Sequence, residues 1–394
     1  MSAFGSPIGA GAGLAASERL QARVRAWATA ALGEGPARDA DAPPPAGFEP
    51  LALDIARFQA EHNPAFARLC RYHSSALDSL EQVPPVPADA FRLGRVAAHR
   101  PALDVATFLT SGTTGGAGRH VFRTLDTYAE LCVRWGRRAL LGGRREPSTV
   151  LALAPPFEPE RRSSLGYMMQ RFMQELDGRP LAGATVDVRE PGRWLLAGAR
   201  VDVDGLRRGA RVAAQRGEPV LLLATAFALV WLLDVLAGST LPLPQGSVVM
   251  ITGGFKGRAR SVDGVELGLG LCRALGVEAR HLIGEYGMTE LSSQLYDAGF
   301  DAEGRRPSVF VEPPWLRVTP LEPVTLDPVA PGEVGLACFT DLANVDSALR
   351  VLTQDLVRRE AGGIVLLGRK SGARLRGCSL AIEALAPGAF GGAS

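Results

Sequence analysis

Residues 108–120 read FLTSGTTGGAGRH, so that four hydroxyls, Thr110, Ser111, Thr113 and Thr114, alternate with four glycines. A loop of this kind lets the backbone approach a polyphosphate while N–H groups and hydroxyls donate to its oxygens. No lysine follows the glycines, so it is not the GxxxxGK[ST] phosphate loop, and an ordinary flexible Gly/Thr loop is the plain alternative. Residues 252–258, TGGFKGR, read as a strand end running into a glycine turn, the place where open α/β sheets bind ligands. Residues 283–290, IGEYGMTE, offer an aromatic face at Tyr286, a hydroxyl at Thr289 and carboxylates at Glu285 and Glu290. Either carboxylate suits Mg²⁺, a hard cation that takes one or two carboxylates plus substrate phosphates; a turn with solvated glutamates is the bland reading.

Nucleophiles and bases are few. Cys378 lies in RLRGCSL beside Arg374 and Arg376, cations that lower a thiol pKa and favour the thiolate; a buried strand cysteine is the alternative. Cys70, Cys132 and Cys272 sit in apolar helical patterns, and Cys338 reads as core. His120 follows the hydroxyl loop, where it either donates to a phosphate or an acyl carboxylate or serves the structure; His281 reads as structural. Of 43 basic residues only Lys256 and Lys370 are lysine, and both fall in glycine-flanked runs, GGFKGR and GRKSG. An ammonium is a compact point charge that arginine does not replace.

The elements that hold these segments come from a chain of 394 residues, 46% hydrophobic and 21% charged, enough for a large core. Net charge is +2 with the signs interspersed, which argues against a nucleic-acid or anionic-membrane partner. Five scattered cysteines without a CxxC pair exclude a disulfide framework or zinc ribbon and point to a reducing compartment. The N-terminus lacks a basic region followed by an apolar run, and the apolar stretch Val220 to Leu233 is shorter than the roughly 20 residues that span a bilayer. A cytoplasmic protein is expected.

Residues 1–46 are rich in Ala, Gly and Pro, with a helix expected only over Ala16 to Leu32. Phe48 to Phe91 has helical spacing up to the PPVP turn at 84–87. Strands at Thr149 to Leu153, Val220 to Leu223, Val248 to Thr252 and His281 to Tyr286 then alternate with helices near Tyr167 to Leu176, Phe227 to Ala237 and Val265 to Leu275. This alternation predicts parallel strands covered by helices. Phe157, Tyr167, Met168, Met169 and Phe172 either line an acyl pocket or form plain core. After Pro307, short runs at Trp315 to Val318, Gly335 to Phe339 and Gly363 to Leu367 predict an antiparallel or barrel-like portion.

Taken in order, the hydroxyl loop, the glycine turn, Tyr286-Gly-Met-Thr-Glu290, PGEVG at 331–335, TQDL at 353–356 and Gly368-Arg369 resemble the core motifs of the adenylate-forming superfamily. Thr-Gly-Gly-Phe-Lys at 252–256 and RGCSL at 376–380 are most similar to the LuxE-type acyl-protein synthetases, relatives of the phenylacetate-CoA ligases. The resemblance runs from about residue 100 to 385. It implies an α/β fold: the large domain of an adenylate-forming enzyme, helix-covered mixed sheets plus a β-rich subdomain, lacking the full small C-terminal domain. Its boundaries would be a flexible segment with one helix over 1–46, the large domain over 47–363, and a hinge with a truncated remnant over 364–394.

The resemblance also implies roles. Thr110, Ser111, Gly112, Thr113, Thr114 and Gly115 would close over the β- and γ-phosphates of ATP. Gly253 and Gly254 would form the turn beside adenine, and Tyr286 and Gly287, with Met288 in the same run, the segment against which the base stacks. Thr289 and Glu290 match the α-phosphate and Mg²⁺ contacts, Asp355 the carboxylate that takes the ribose hydroxyls, and Arg369 the hinge arginine. The superfamily's catalytic lysine has no counterpart after Arg369, so Lys256, Arg258, Lys370 or Arg119 would supply the neutralising cation, and VLTQD replaces the usual context of the ribose carboxylate. The implied activity is ATP- and Mg²⁺-dependent conversion of a carboxylic, in this family fatty, acid to an acyl-adenylate, then transfer to a protein thiol, Cys378 first, with an acyl-CoA reductase or carrier protein as acceptor partner. Transfer to coenzyme A or a carrier thiol, and a non-catalytic scaffold with the same fold, are the alternatives.

Overall fold

The computed structural model describes residues 5–9, 11–33, 46–110, 116–144, 146–179, 192–198, 200–253, 264–297 and 309–369. The chain divides into two compact units, one of residues 1–131, 288–293 and 311–394, the other of residues 132–287 and 294–310.

The first unit opens with α1 (Ala12–Leu32), which starts four residues before the expected Ala16 and buries Ser17 and Gln21 beside Leu20, Val24 and Ala28. The helical pattern read from Phe48 onward is broken into α2 (Phe48–His62) and α3 (Pro64–Tyr72). Asn63 makes the break: its side chain accepts from the backbone N–H groups of Ala65 (3.1 Å) and Phe66 (3.4 Å), and Pro64 follows at a first-turn position that needs no donor. Then come β1 (Val86–Pro87), α4 (Ala90–Leu93), the antiparallel hairpin β2 (Ala106–Leu109) and β3 (Arg119–Phe122), and α5 (Asp126–Leu141), whose last ten residues belong to the second unit.

In the second unit β4 (Thr149–Leu153) is followed by α6 (Ser164–Phe172), the short pair β5 (Leu196–Ala197) and β6 (Arg200–Val201), α7 (Val203–Arg216), β7 (Val220–Thr225), α8 (Ala226–Leu236), β8 (Val248–Thr252), α9 (Gly264–Leu275), β9 (Leu282–Tyr286), β10 (Leu295–Asp297) and β11 (Val309–Val311). The order β4-β7-β8-β9 is parallel, and β10 runs antiparallel beside β9. The parallel strands are almost wholly buried because helices cover them, which is why they read as unbroken Val, Leu and Ile runs. Leu206 of α7, Leu229 and Leu232 of α8, and Leu267 and Leu271 of α9 share one cluster with Leu222, Val249 and Ile251 of the strands. Successive right-handed crossovers put these three helices in one layer. Met168, Met169 and Phe172 are buried core, while Phe157 and Tyr167 remain half-buried with ring centroids 5.8 Å apart.

The first unit resumes with β12 (Leu316–Leu321), β13 (Val334–Asp341), β14 (Arg350–Glu360) and β15 (Gly363–Arg369), an antiparallel meander with β1 parallel to β14. The meander agrees with the antiparallel expectation, whereas β14 was read only as a motif: its Thr353-Gln-Asp sequence has no apolar alternation to reveal a strand. Among the described residues no helix is long and apolar enough to cross a membrane.

Candidate active site

Thr110 and Gly118 tie together the two ends of the hydroxyl loop at the tip of the β2–β3 hairpin. The Thr110 N–H donates to the Gly118 carbonyl (3.0 Å), and the Gly118 N–H donates to Thr110 Oγ1 (2.8 Å). Thr289 lies beside this neck, its hydroxyl donating to the Leu109 carbonyl at 3.4 Å. Its own carbonyl is 2.8 Å from His120 Nδ1. A carbonyl only accepts, so Nδ1 carries the imidazole proton and Nε2 accepts from the Ser347 hydroxyl, 2.8 Å away. The ring is 1% exposed, packed on Phe91 and Phe122, and burial pulls its pKa down to about 4. Of the two readings of His120, donor to a phosphate or carboxylate or structural support, this geometry fits the second: both nitrogens of a neutral imidazole are engaged, one of them on the Thr289 backbone.

The connection between β13 and β14, residues 342–349, and Asp341 at the end of β13 anchor the same segment and were not singled out from the sequence. Asp341 accepts from the Ser292 N–H (2.9 Å), the Ser293 hydroxyl (2.8 Å) and the Ala343 N–H (3.0 Å), while burial pushes its carboxyl up to about 6. Asn344 donates to the carbonyl of Glu290 and to that of Ala348, both at 3.0 Å. From the far side, Gln59 of α2 donates to the Asn344 and Val345 carbonyls, and Ser17 and Gln21 of α1 donate to Asp346. The N-terminal helices therefore brace residues 289–293 through buried polar contacts. The run DLANVDS was the one available signal, since so many Asp, Asn and Ser together suit a turn that satisfies its own backbone.

Glu290, Asp355 and Arg369 gather in the first unit although 65 and 14 residues separate them in sequence. Asp355 and Arg369 pair across β14 and β15, and Arg369 Nε donates to Asp355 Oδ1 at 3.2 Å. Arg369 is exposed and Asp355 half-buried, so both keep surface for a ligand. Glu290 is buried, and burial pushes its carboxyl up to about 7, with Arg369 opposing and Asp89 and Asp355 reinforcing the shift. A buried carboxylate that holds a proton so readily is a hard oxygen donor whose charge a divalent cation would relieve, so it fits Mg²⁺. Met288 and Thr289 are half-buried in the turn that carries it.

The second unit holds Gly253, Tyr286 and Gly287. Gly253 follows β8 with φ +77°, a left-handed conformation that glycine adopts without strain. Thr252 and Glu285 pair across β8 and β9, and the Thr252 hydroxyl donates to the Glu285 carboxylate. A Cβ on Gly287 would fall 2.5 Å from Glu285 Oε1, so the glycine leaves room for that carboxyl. Tyr286 is half-buried, edge-on to Phe310. Burial pushes Glu285 up to about 7 from 4.5. Below about pH 4.5 the carboxyl is protonated in both states, and as pH rises the unfolded chain ionises first, so stabilisation present at low pH is lost through pH 7. Denaturant melts should therefore show Glu285→Gln gaining on the wild type by about 3 kcal/mol between about pH 4.5 and pH 8; a pH-independent difference would contradict this.

Ser111, Gly112, Thr113, Thr114, Gly115, Gly254, Lys256, Lys370 and Cys378 lie outside the described residues. Burial raises all four described thiols, Cys70 and Cys132 to about 12, and Cys272 and Cys338 above their usual value, so each is held as the protonated form. Among the described residues no three His, Cys, Asp or Glu gather as a metal cluster, although Mg²⁺ bound through one carboxylate and phosphates needs none.

No family model and no curated protein sequence matches this chain. Solved structures do. The chain is similar to a 2-hydroxyisobutyryl-CoA ligase in an open conformation with 2-HIB-AMP and CoA: 16% identity, 86% of this chain and 83% of that one, TM-score 0.55. It is similar to the same ligase in the postadenylation state with 2-HIB-AMP: 15% identity, 86% and 75% coverage, TM-score 0.55. ATP-bound MatB from Rhodopseudomonas palustris is a looser match, 16% identical over 68% of this chain and 48% of that one, with a TM-score of 0.46. At these identities the likeness is one of architecture: the chain has the mixed α/β fold of that 2-hydroxyisobutyryl-CoA ligase.

Proposed function

We propose that this protein activates a carboxylic acid with ATP. The observation that carries the reading is the gathering of Glu290, Asp355 and Arg369, three residues that the motif resemblance assigns to one nucleotide and that the fold brings within electrostatic reach of each other. A carboxylate oxygen of the acid attacks the α-phosphorus; that bond forms as the bond to the β-phosphate oxygen breaks, and pyrophosphate leaves. Asp355 accepts the ribose hydroxyls while Arg369 steadies it from the paired strand. Thr289, its carbonyl held by His120, would turn its hydroxyl from the Leu109 carbonyl, 3.4 Å away, to the α-phosphate. Glu290 would hold Mg²⁺, which supplies positive charge to the phosphates when bound. Lys256 and Lys370 are the further cations that the motif resemblance supplies to this reading.

In the second step a thiolate attacks the acyl carbon and AMP leaves. Cys378 is our first acceptor, because the other four cysteines are all held protonated by burial, and an acyl-CoA reductase or carrier protein would then receive the acyl group. The likeness to a CoA ligase favours coenzyme A as a second acceptor. Acid-dependent exchange of labelled pyrophosphate into ATP, across a panel that includes fatty acids, tests the first step; no exchange with any acid refutes it. Hydroxylamine-labile acyl-protein that disappears in Cys378→Ala separates the two acceptors. Asp355→Ala should raise KM for ATP about tenfold, the loss of one charge-assisted hydrogen bond, with kcat changed less than about threefold; steady-state exchange kinetics measure both.

A further inference from the structure

Two buried amide side chains at the end of α2 grip the connection between β13 and β14. Gln59 Nε2 donates to the carbonyls of Asn344 (2.7 Å) and Val345 (3.0 Å), and Gln59 Oε1 accepts from the Leu349 N–H (3.0 Å). Asn63, four residues on and on the same side of the helix, donates to the Ser347 carbonyl (2.8 Å) while its Oδ1 caps α3. A carbonyl only accepts and an N–H only donates, so neither amide can turn over without losing these bonds.

From this connection two lines of hydrogen bonds lead to adjacent residues of the candidate site. Asn344, whose carbonyl Gln59 holds, is buried; its Nδ2 donates to the carbonyls of Glu290 and Ala348, and its Oδ1 accepts from the Ser292 hydroxyl (2.7 Å). Ser347, whose carbonyl Asn63 holds, donates to His120, which in turn donates to the Thr289 carbonyl. Gln59 thus reaches Glu290 through one residue, and Asn63 reaches Thr289 through two. Both amides precede residue 100, outside the stretch that carries the motif resemblance. Packing alone would be served by apolar side chains here, because a buried amide left unpaired costs free energy.

We infer that Gln59 is a positioning residue for Glu290, acting through Asn344, and that it sets how tightly the site takes its cation. This rests on the reading of Glu290 as the Mg²⁺ carboxylate. Without Gln59 the Asn344 and Val345 carbonyls lose their donor, Asn344 moves off the Glu290 carbonyl, and the carboxylate is no longer held in place.

Gln59→Met keeps the length of the side chain and removes its hydrogen bonds. The Mg²⁺ concentration for half-maximal pyrophosphate exchange should rise at least about tenfold, with the rate at saturating Mg²⁺ falling less than about threefold, as when a ligating side chain loses its support. Asn344→Ala should do the same, and the double variant should match Asn344→Ala within about twofold, because the two residues act in series. Ile55→Ala, buried on the same helix and making none of these bonds, controls for lost packing and should leave the Mg²⁺ requirement within about twofold of the wild type. Should Gln59→Met not fold, Gln59→Glu takes its place: buried among carbonyls it keeps its proton and one donation, and the same direction is expected.

Amide hydrogen exchange reads the positioning without reference to acid activation. Residues 288–293 should open about tenfold faster relative to β14, in the same unit, in Gln59→Met, and in step with β14 in Ile55→Ala. Residues 288–293 that stay in step with β14 in Gln59→Met, or a Mg²⁺ requirement unchanged in a protein whose wild type activates acids, overturn the inference and leave the proposed function standing. Single effects that add in the double variant overturn the route through Asn344. A wild type without pyrophosphate exchange removes the proposed function and the cation role together, while amide exchange still decides whether Gln59 holds residues 288–293.

Discussion

Glu290→Gln should lower acid-dependent pyrophosphate exchange by about 100- to 1,000-fold, the usual cost of removing one preorganised electrostatic contact to developing charge. The side chain keeps its size and loses only its anionic form, so the fold is expected to survive. The wild-type enzyme should reveal the same carboxylate through pH. With burial pushing Glu290 up to about 7, the ionised fraction is about one-tenth at pH 6, and exchange should fall about tenfold from pH 8 to pH 6. Proton and cation compete for one carboxylate, so raising Mg²⁺ should move this limb to lower pH. Glu285 is pushed to a similar value, and Glu285→Gln decides ownership: the limb persists in that variant if it belongs to Glu290. A limb that vanishes with Glu285→Gln, or a profile insensitive to Mg²⁺, would take the cation away from Glu290.

His120→Ala should cost about 2–4 kcal/mol of stability, because it leaves the Ser347 hydroxyl and the Thr289 carbonyl without their partner and opens space beside Phe91 and Phe122. Exchange should fall about 10- to 100-fold as Thr289 loses its position. Asparagine can place its Nδ2–H near the position of the imidazole Nδ1–H, so His120→Asn should recover most of the activity. The shape of the pH profile separates positioning from proton transfer. A neutral imidazole with its pKa near 4 carries no titration between pH 6 and 8, and both variants should keep the wild-type profile shape. Amide hydrogen exchange over residues 288–293 should accelerate in His120→Ala and return with asparagine, a readout available whether or not the protein activates acids. A pH limb abolished by both substitutions would make His120 a proton carrier instead.

The parallel strands were legible because their Val, Leu and Ile runs are long, unbroken and separated by amphipathic helices; the observed β8 coincides with the expected Val248 to Thr252. The break at Asn63 and Pro64 was missed because apolar spacing of three and four continues across it, although a capping asparagine followed by proline was present to be read. β14 was missed for the opposite reason: Asp355 and Thr353 lie on a strand whose other residues alternate weakly. Of the candidate site, the residue types that suit a nucleotide stood out as motifs. The supports did not, because Gln59, Asn63, Asp341, Asn344 and Ser347 act through buried hydrogen bonds to backbone groups up to 290 residues away, a relation that no local pattern carries.

Local order, then, already contained the succession of elements and the candidate chemistry, since hydroxyls, glycines and carboxylates at turn spacings are properties of short segments. Protonation and partnership belong to the folded chain. Whether His120 meets substrate or braces Thr289 depends on a carbonyl 169 residues away and a hydroxyl 227 residues away. Whether Glu290 is a solvated turn residue or a carboxyl poised near neutrality depends on how much water the fold removes around it, because desolvation is set by neighbours in space and not by neighbours in sequence.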